Sequence, residues 1–320
     1  LLLDMSHEAV EPEGDKERFY GDIRMEDLGG LRRNPYTVRS NLILDSAEDA
    51  VKELAYLKAY GCDLLVDVTS VGLGRNAEGL RQISKQSGIR IVAGCGLFVH
   101  DSRVEDYASF SAEKIAAWMT NEIEHGIGDT GIRPGVIGEI GTSARIEAFE
   151  ERSLHAAALA SERTGLPMYI HTYPWSRAGL DAVDLVLSHG VDASKICLCH
   201  LDVSFDDAYI AQALARGVYV EFDNLGKEFY FKAQDGSFAG GPFETDVARA
   251  GKLKQLTDLG FAGRLLLAND LCLKASLHRY GGWGYDHLFS NFIPMMRMEG
   301  IPEDAIRTMV YENPKRFLFS

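Results

Sequence analysis

The sequence has no long hydrophobic run and too little positive charge to bind polyanions. No stretch approaches the roughly 20 apolar residues that span a bilayer. The start, LLLDMSHEAVEPEGDKE, has neither the basic flank nor the apolar stretch of a signal peptide. The 33 Lys and Arg against 47 Asp and Glu give a net charge of −14. We therefore expect a protein that binds neither nucleic acid nor a membrane.

Cysteines are few and do not form a disulfide framework. Their number, five, is odd, and their spacing matches no common pattern of paired cysteines. Such usage is typical of a reducing compartment, so we predict a cytoplasmic protein. The cysteines are Cys62, Cys95, Cys197, Cys199 and Cys272.

Short apolar runs alternate with longer segments of helical period, which favours a parallel sheet with crossover helices. Strands are predicted at about 64–70, 89–98, 134–142, 167–174, 195–202, 218–226 and 265–270. Helices are predicted at about 46–59, 76–87, 111–126, 147–164, 177–189, 205–216 and 246–259, several of them ending at a glycine. A further strand at Leu1–Asp4 brings the strand count to eight. The sequence therefore predicts an α/β fold, a (β/α)8 TIM barrel.

One domain over residues 1–320 is the simplest organisation, because no Pro-, Gly- or Ser-rich linker divides the chain. One barrel can absorb this length without a boundary. Three segments, 104–110, 227–245 and 274–284, have the composition of loops. We expect them on the rim where barrel active sites lie.

Four predicted strands finish in a residue that can bind a metal: Glu139, His171, His200 and Asp270. A lone buried histidine is more often a hydrogen-bonded core residue. Two histidines and two carboxylates at one level of a barrel instead favour a metal centre. Two alternatives stay open: Asp270 as a helix cap, and Glu139 in a salt bridge with Arg133 or Arg145.

The segment KICLCHLD (195–202) raises the question of a zinc–thiolate cluster. Side chains alternate along a strand, so Ile196, Leu198 and His200 share one face and the two cysteines share the other. If His200 points into the barrel, Cys197 and Cys199 point outward against the helices. The sequence therefore predicts that the cysteines are not ligands.

On the basis of these residues and the motifs around them, the chain resembles the phosphotriesterase-related family of the amidohydrolase superfamily. The resemblance spans nearly the whole chain. It includes VDVTSVGLGRN (66–76), IRIVAGCGLF (89–98), YIHTYPWSRAG with His171, CHLD with His200, LAND with Asp270, and ENPKRFLF (312–319). The segments DNLGKEFY (223–230) and GGWGYDHLF (281–289) resemble the lactonase-like and uncharacterised branches more than the organophosphate-degrading ones.

The resemblance implies a barrel that holds two divalent ions, zinc in the first place with manganese or cobalt as alternatives. It implies that His171 and His200 bind one ion, and that Asp270 binds the other and takes a proton from the attacking hydroxide. Many members bridge the ions with a carboxylated lysine, but no lysine occurs between Lys114 and Lys195. Glu139 is the carboxylate available for that role. A homodimer is a further expectation from the family.

The family also carries His-x-His at the end of the first strand, and this pair is missing here. The nearby His7, in MSHEAV, has no second histidine two residues away. The segment Leu1–Asp4 looks like the tail that follows the motif, so we expect the chain as given to start just downstream of two ligands.

The resemblance and the site chemistry together predict metal-assisted hydrolysis of a small molecule, with a lactone or carboxylic ester first. An anionic group on the substrate is expected, because cations fall in the rim loops of an otherwise acidic protein. The predicted substrate-binding residues are Lys227, Arg279, Tyr280 and Tyr173, with Arg279 favoured because its guanidinium grips an oxyanion in two places. Two alternatives stay open: phosphotriester or phosphodiester hydrolysis, and a non-catalytic barrel that binds a small molecule.

Overall fold

A computed structural model describes residues 1–11, 16–102, 104–231 and 239–319. Within them the strands run in chain order as β1 Leu3–Asp4, β2 Ile43–Leu44, β3 Leu64–Asp67, β4 Arg90–Cys95, β5 Val136–Gly141, β6 Met168–His171, β7 Ile196–Leu198, β8 Tyr219–Phe222 and β9 Leu265–Leu267. Strands β3 to β9 form one parallel sheet in sequence order. The predicted α/β class and parallel sheet are confirmed.

The predicted first barrel strand does not join this sheet. Leu3 pairs with Leu44 and Asp4 pairs with Ile43, so β1 and β2 form a separate antiparallel pair. The parallel sheet of the described residues therefore has seven strands, and an eighth is not seen there. After Met5, the strand at Leu3–Asp4 is followed by a 3-10 turn at Ser6–Glu8.

All seven predicted helices form. The helices are α1 Lys16–Tyr20, α2 Leu28–Leu31, α3 Ala47–Ala59, α4 Ala77–Ser87, α5 Ala112–His125, α6 Ala148–Thr164, α7 Ala178–Ser188, α8 Asp207–Ala215, α9 Asp246–Asp258, α10 Ile293–Met298, α11 Glu303–Arg307 and α12 Asn313–Phe319. Side-chain caps begin several of them, as when Ser46 accepts from Asp49 N at 3.1 Å. Gly88 and Gly165 end α4 and α6 in the left-handed conformation.

Helices α10 to α12 were not predicted. Their segment is broken by π-helical turns at Leu288–Phe292 and Thr308–Glu312, which disturb the 3.6-residue period that pattern reading depends on. No helix in the described part of the chain is long and apolar enough to cross a membrane.

The two faces of the parallel sheet pack differently. On one face, Leu198 and Val220 belong to the large core that also contains residues of helices α5 to α9. On the other face, Tyr169 of β6 and Tyr219 of β8 pack edge-on against Phe317 of α12, with ring centroids 5.1 and 5.2 Å apart. Side chains from β3 through β9 join this second core, so the sheet curls around it. The carboxyl ends of the strands therefore converge.

Candidate metal centre

Three of the four predicted ligands come together at the carboxyl ends of neighbouring strands. Glu139 Oε1 lies 3.1 Å from His200 Nε2 and 4.0 Å from His171 Nδ1. The two ring nitrogens are 2.8 Å apart. Donor atoms on one tetrahedral zinc ion lie about 3.3 Å from each other, given bonds of about 2.0–2.1 Å. The three donors therefore fit a single divalent ion without a large rearrangement.

A different local feature of the backbone directs each ligand towards this point. His171 shares the inner face with Tyr169 by simple alternation along β6. Glu139 is turned inward by a register shift between Ile137 and Ile140 in the pairing of β5 with β6. His200 lies two residues beyond the end of β7 and adopts a left-handed conformation, with φ of 68°.

The prediction for the two cysteines was wrong about their direction. Cys197 pairs with Tyr169 on one side and Tyr219 on the other, and all three belong to the inner core. The cysteines therefore point into the barrel, and Leu198 points towards the helices. The alternation argument failed because the left-handed turn at His200 ends the strand pattern before that residue.

Cys199 also contacts a buried carboxyl group. Its Sγ lies 3.4 Å from Glu221 Oε2, and Cys197, Cys199 and Glu221 form a second group of potential ligands within 4.8 Å. Burial raises the pKa of the Cys197 thiol to about 12 and raises that of Cys199 well above its ordinary value. Both are neutral thiols near pH 7, so in this state they pack as small core residues.

A chain of buried polar contacts lies behind His200. Its Nδ1–H donates to Asp223 Oδ1 at 2.9 Å, and its backbone N–H also faces the Asp223 carboxylate, at 3.1 and 3.2 Å from the two oxygens. Asn224 Nδ2 donates to Asp223 Oδ1 at 2.7 Å and to Asp202 Oδ1 at 3.2 Å. These contacts fix the tautomer and direction of the ring, leaving Nε2 to face Glu139.

This series of polar contacts ends at a fully buried arginine on α9. Arg249 Nε lies 2.9 Å from Asp202 Oδ2, and its Nη1 lies 2.9 Å from Asp246 Oδ1. Its Nη2 donates to the backbone oxygen of Lys227 at 3.0 Å. Asp246 in turn accepts from His287 Nε2 at 2.6 Å. One buried cation thus balances two carboxylates and connects the site to α9.

The site favours positive charge at His200 and a neutral ring at His171. Burial, followed by the nearby His200, lowers the pKa of His171 to about 4, so this ring is neutral near pH 7. Burial opposes a charge on His200 as well, but the Asp223 and Glu139 carboxylates raise its pKa well above the ordinary value. The two carboxylates stabilise a positive charge on the buried His200 ring. The same negative surroundings would stabilise a metal cation.

Asp270, the fourth predicted ligand, lies three residues beyond β9 and has a φ of 39°. Its carboxylate pairs with the Nζ of Lys227, whose side chain is almost fully buried. Burial alone would lower the pKa of Lys227, yet the Asp270 carboxylate raises it above its ordinary value. The two predicted site residues are therefore in direct contact, with Lys227 charged.

The remaining predicted substrate-binding residues have other contacts. The Arg279 guanidinium is exposed and pairs with Asp49 of α3, and it also lies over the Tyr280 ring, 5.5 Å from its centroid. Tyr173 packs edge-on against Trp175, with ring centroids 5.5 Å apart. Phe98 packs edge-on against His171 at 4.6 Å and forms an apolar side of the centre.

Sequence reasoning missed the residues behind the ligands, above all Arg249 and Asn224. Arg249 follows Asp246 by three residues on one helix, which predicts a helical ion pair. Its contact with Asp202 depends on how α9 packs, which no sequence pattern shows. The structure also places Asp223 behind His200, where its carboxylate accepts from the ring.

Comparisons with known proteins agree with this geometry. The model of the phosphotriesterase family matches residues 17–318. The chain belongs to the phosphotriesterase family. The N-acetyltaurine hydrolase of Danio rerio is 36% identical over 324 residues, covering 99% of this chain and 90% of that protein.

Two solved structures are also similar to this chain. A resiniferatoxin-binding protein from Rhodobacter sphaeroides has a TM-score of 0.94 and 34% identity, covering 99% of this chain and 88% of that one. A mutant of a phosphotriesterase-like lactonase from Deinococcus radiodurans has a TM-score of 0.74 and 29% identity, covering 85% and 86%. The family and its named hydrolases confirm the prediction of a hydrolase; metal dependence is typical of this family.

Proposed function

We propose that the protein is a metal-dependent hydrolase that cleaves an acyl bond in a small molecule bearing an anionic group. The observation that supports it most directly is the convergence of Glu139 Oε1, His171 Nδ1 and His200 Nε2. Glu139, His171, His200 and Asp270 would hold two divalent ions, zinc in the first place. Such ions would lower the pKa of a bound water towards about 7 and polarise the substrate carbonyl.

The side chains of this protein then perform separate tasks. Asp270 takes the proton from the attacking water and later returns it to the leaving group. Lys227, which pairs with Asp270, holds that carboxylate in place. Phe98 covers one side of His171 and limits the access of solvent to that ligand.

The acyl bond is proposed to be an amide first and a lactone or carboxylic ester second. The amide is supported by relatives named N-acetyltaurine hydrolase, which are 33–36% identical in fish and human and aligned over most of their length. The lactone is supported by the similar lactonase structure. N-acetyltaurine carries a sulfonate, which agrees with the anionic group predicted from the sequence.

The test is a panel of substrates measured with controlled metal content. Protein prepared without chelators is analysed by plasma mass spectrometry and assayed with N-acetyltaurine, a γ-lactone, p-nitrophenyl acetate and a phosphotriester. We expect bound divalent ion, turnover of N-acetyltaurine that chelation abolishes, and recovery with zinc, manganese or cobalt. Turnover of the phosphotriester alone would instead support the alternative hydrolase.

Variants distinguish the loss of the metal centre from a general loss of the fold. Glu139→Gln and His200→Ala should lose more activity than the roughly 10–100-fold expected for losing an outer partner of a ligand. The exposed Glu151→Gln on α6 is the matched control and should be unchanged. Absence of bound metal and of turnover on every substrate would overturn the proposal.

That outcome would leave a second candidate, a non-catalytic barrel that binds a small molecule. Similarity to the resiniferatoxin-binding protein over 99% of this chain favours this alternative. It predicts ligand binding that persists in Asp270→Asn with no product formed.

A further inference from the structure

An open cleft lies beside Asp270, the fourth predicted metal ligand. Its wall includes Lys227, which pairs with Asp270, and the two residues on either side of Asp270, Asn269 and Leu271. The cleft therefore opens next to the carboxylate proposed as general base.

Residues in and around α2 also line the cleft. Arg32 directly follows this helix and lines the cleft, and Trp283 lines it from the loop after β9. Trp283 is about half exposed, so one apolar surface faces the opening. We call this space the Arg32 cleft, defined by Arg32, Lys227, Asn269, Leu271 and Trp283.

The charge of the Arg32 cleft is opposite to that of the protein as a whole. Among the described residues that line it none is acidic, although the chain has 47 acidic and 33 basic residues. Both cationic side chains of the lining, Arg32 and Lys227, belong to segments that meet only in the folded protein. A wall of this kind attracts anions in preference to neutral or cationic molecules.

Arg32 differs from the other candidate cations in having its charge available. Arg279 pairs with Asp49, Lys274 lies 3.5 Å from Asp45, and Lys227 pairs with Asp270. Over the described residues, the Arg32 guanidinium is exposed and has no hydrogen bond or ion pair. A guanidinium without a protein partner can give two parallel hydrogen bonds to an oxyanion.

We infer that the Arg32 cleft is the subsite for the anionic end of the substrate, and that Arg32, in place of the predicted Arg279, is the residue that binds it. The ligand class is a short chain ending in a sulfonate, carboxylate or phosphate. This inference rests on the proposed function for the position of the reacting bond, since the acyl group would lie towards Asp270 and the anion towards Arg32.

Binding of unreactive anions tests the subsite without requiring turnover. Propane-1-sulfonate, butyrate and propyl phosphate are titrated into the protein by calorimetry, with 1-propanol as the neutral control. We expect at least one anion to bind, the alcohol not to bind, and affinity to fall as salt rises. Comparison of the three anions identifies the preferred oxyanion.

Arg32→Gln should weaken binding of the preferred anion about tenfold, the size expected for a charge-assisted contact at a partly exposed site. Arg33→Gln is the matched control, because Arg33 is exposed next to it and does not line the cleft. For N-acetyltaurine hydrolysis, Arg32→Gln should raise KM by a similar factor and leave kcat nearly unchanged.

The outcomes separate the two proposals. If no anion binds, or if Arg32→Gln binds as well as the unchanged protein, the subsite is overturned, whatever the enzyme hydrolyses. If an anion binds through Arg32 and no acyl substrate is turned over, the subsite stands and the proposed hydrolysis fails. An equal loss in Arg32→Gln and Arg33→Gln would indicate general surface charge and would also overturn the subsite.

Discussion

Asp223 holds His200 from two directions, through the ring nitrogen Nδ1 at 2.9 Å and through the backbone N–H of the same residue. The second contact matters because His200 has a left-handed backbone, which is unfavourable for a residue with a side chain. One carboxylate therefore stabilises both the conformation of the backbone and the orientation of the ring.

Asp223→Asn should weaken metal binding by about 10–100-fold, because a neutral amide oxygen is a weaker acceptor than the carboxylate for the ring N–H that directs Nε2 towards Glu139. The measurement is competition for zinc against a chromophoric chelator. Asp207→Asn is the control and should bind zinc as before, because this exposed carboxylate of α8 pairs only with Lys252 of α9 among the described residues. Equal affinity in both variants would show that Asp223 does not position the ligand.

Arg249→Met should destabilise the protein by about 3–5 kcal/mol, because it leaves two buried carboxylates without their cation. Those carboxylates belong to Asp202 and Asp246, and their atoms lie 2.9 Å from the guanidinium. Unfolding in urea measures the change. Lys254→Met, on the same helix but in a pair with the exposed Asp258, should cost less than about 1 kcal/mol. Similar losses in the two variants would contradict the importance of the buried network.

Sequence patterns predicted the helices and strands of the molecule better than the contacts within its candidate site. Capping residues and terminal glycines are local signals, so helices such as Ala47–Ala59 and Ala77–Ser87 were found within about two residues. The strand at Leu1–Asp4 was placed in the barrel because a strand count carries no information about pairing partners. Its antiparallel partner, Ile43–Leu44, lies about 40 residues away.

Within the site, alternation along β6 accounts for His171, which shares the inner face with Tyr169. It could not describe Glu139 and His200, because a register shift and a left-handed turn redirect those side chains. Arg279 was favoured as an anion ligand, yet its partner Asp49 lies 230 residues away in sequence. Contacts of that separation depend on packing, which a single sequence does not display.

The buried thiols provide a third prediction. Cys95, Cys197 and Cys199 are buried, and burial raises the pKa of each. A thiol-specific colorimetric reagent should leave these three unlabelled in the native protein, and label all five cysteines in guanidinium chloride. Adding cadmium to the native protein should produce no thiolate charge-transfer absorption. Such a band, lost in Cys197→Ser, would show that the inner cysteines bind metal after all.

Glu150 stabilises the start of α6 and should make stability depend on pH. Its buried carboxylate accepts from Ser143 N and Glu147 N, both at 3.0 Å, and from Ser143 Oγ at 2.6 Å. Burial alone would raise its pKa, but these hydrogen bonds hold the pKa of Glu150 below its ordinary value. A lowered pKa in the folded state means that the carboxylate contributes stability above its unfolded pKa of about 4.3.

Glu150→Gln should therefore reduce the free energy of unfolding by about 2 kcal/mol at pH 7, since an amide NH2 must face backbone donors. The difference from the unchanged protein should persist down to about pH 4.3 and shrink as pH falls through the lower folded pKa, where the native carboxylate also gains a proton. Urea unfolding between pH 7 and pH 3 measures both effects. The exposed Glu151→Gln, on the next residue of α6, should change little at any pH. A difference that stayed constant to pH 3 would mean that Glu150 acts through packing, because only an ionised acceptor loses its advantage on protonation.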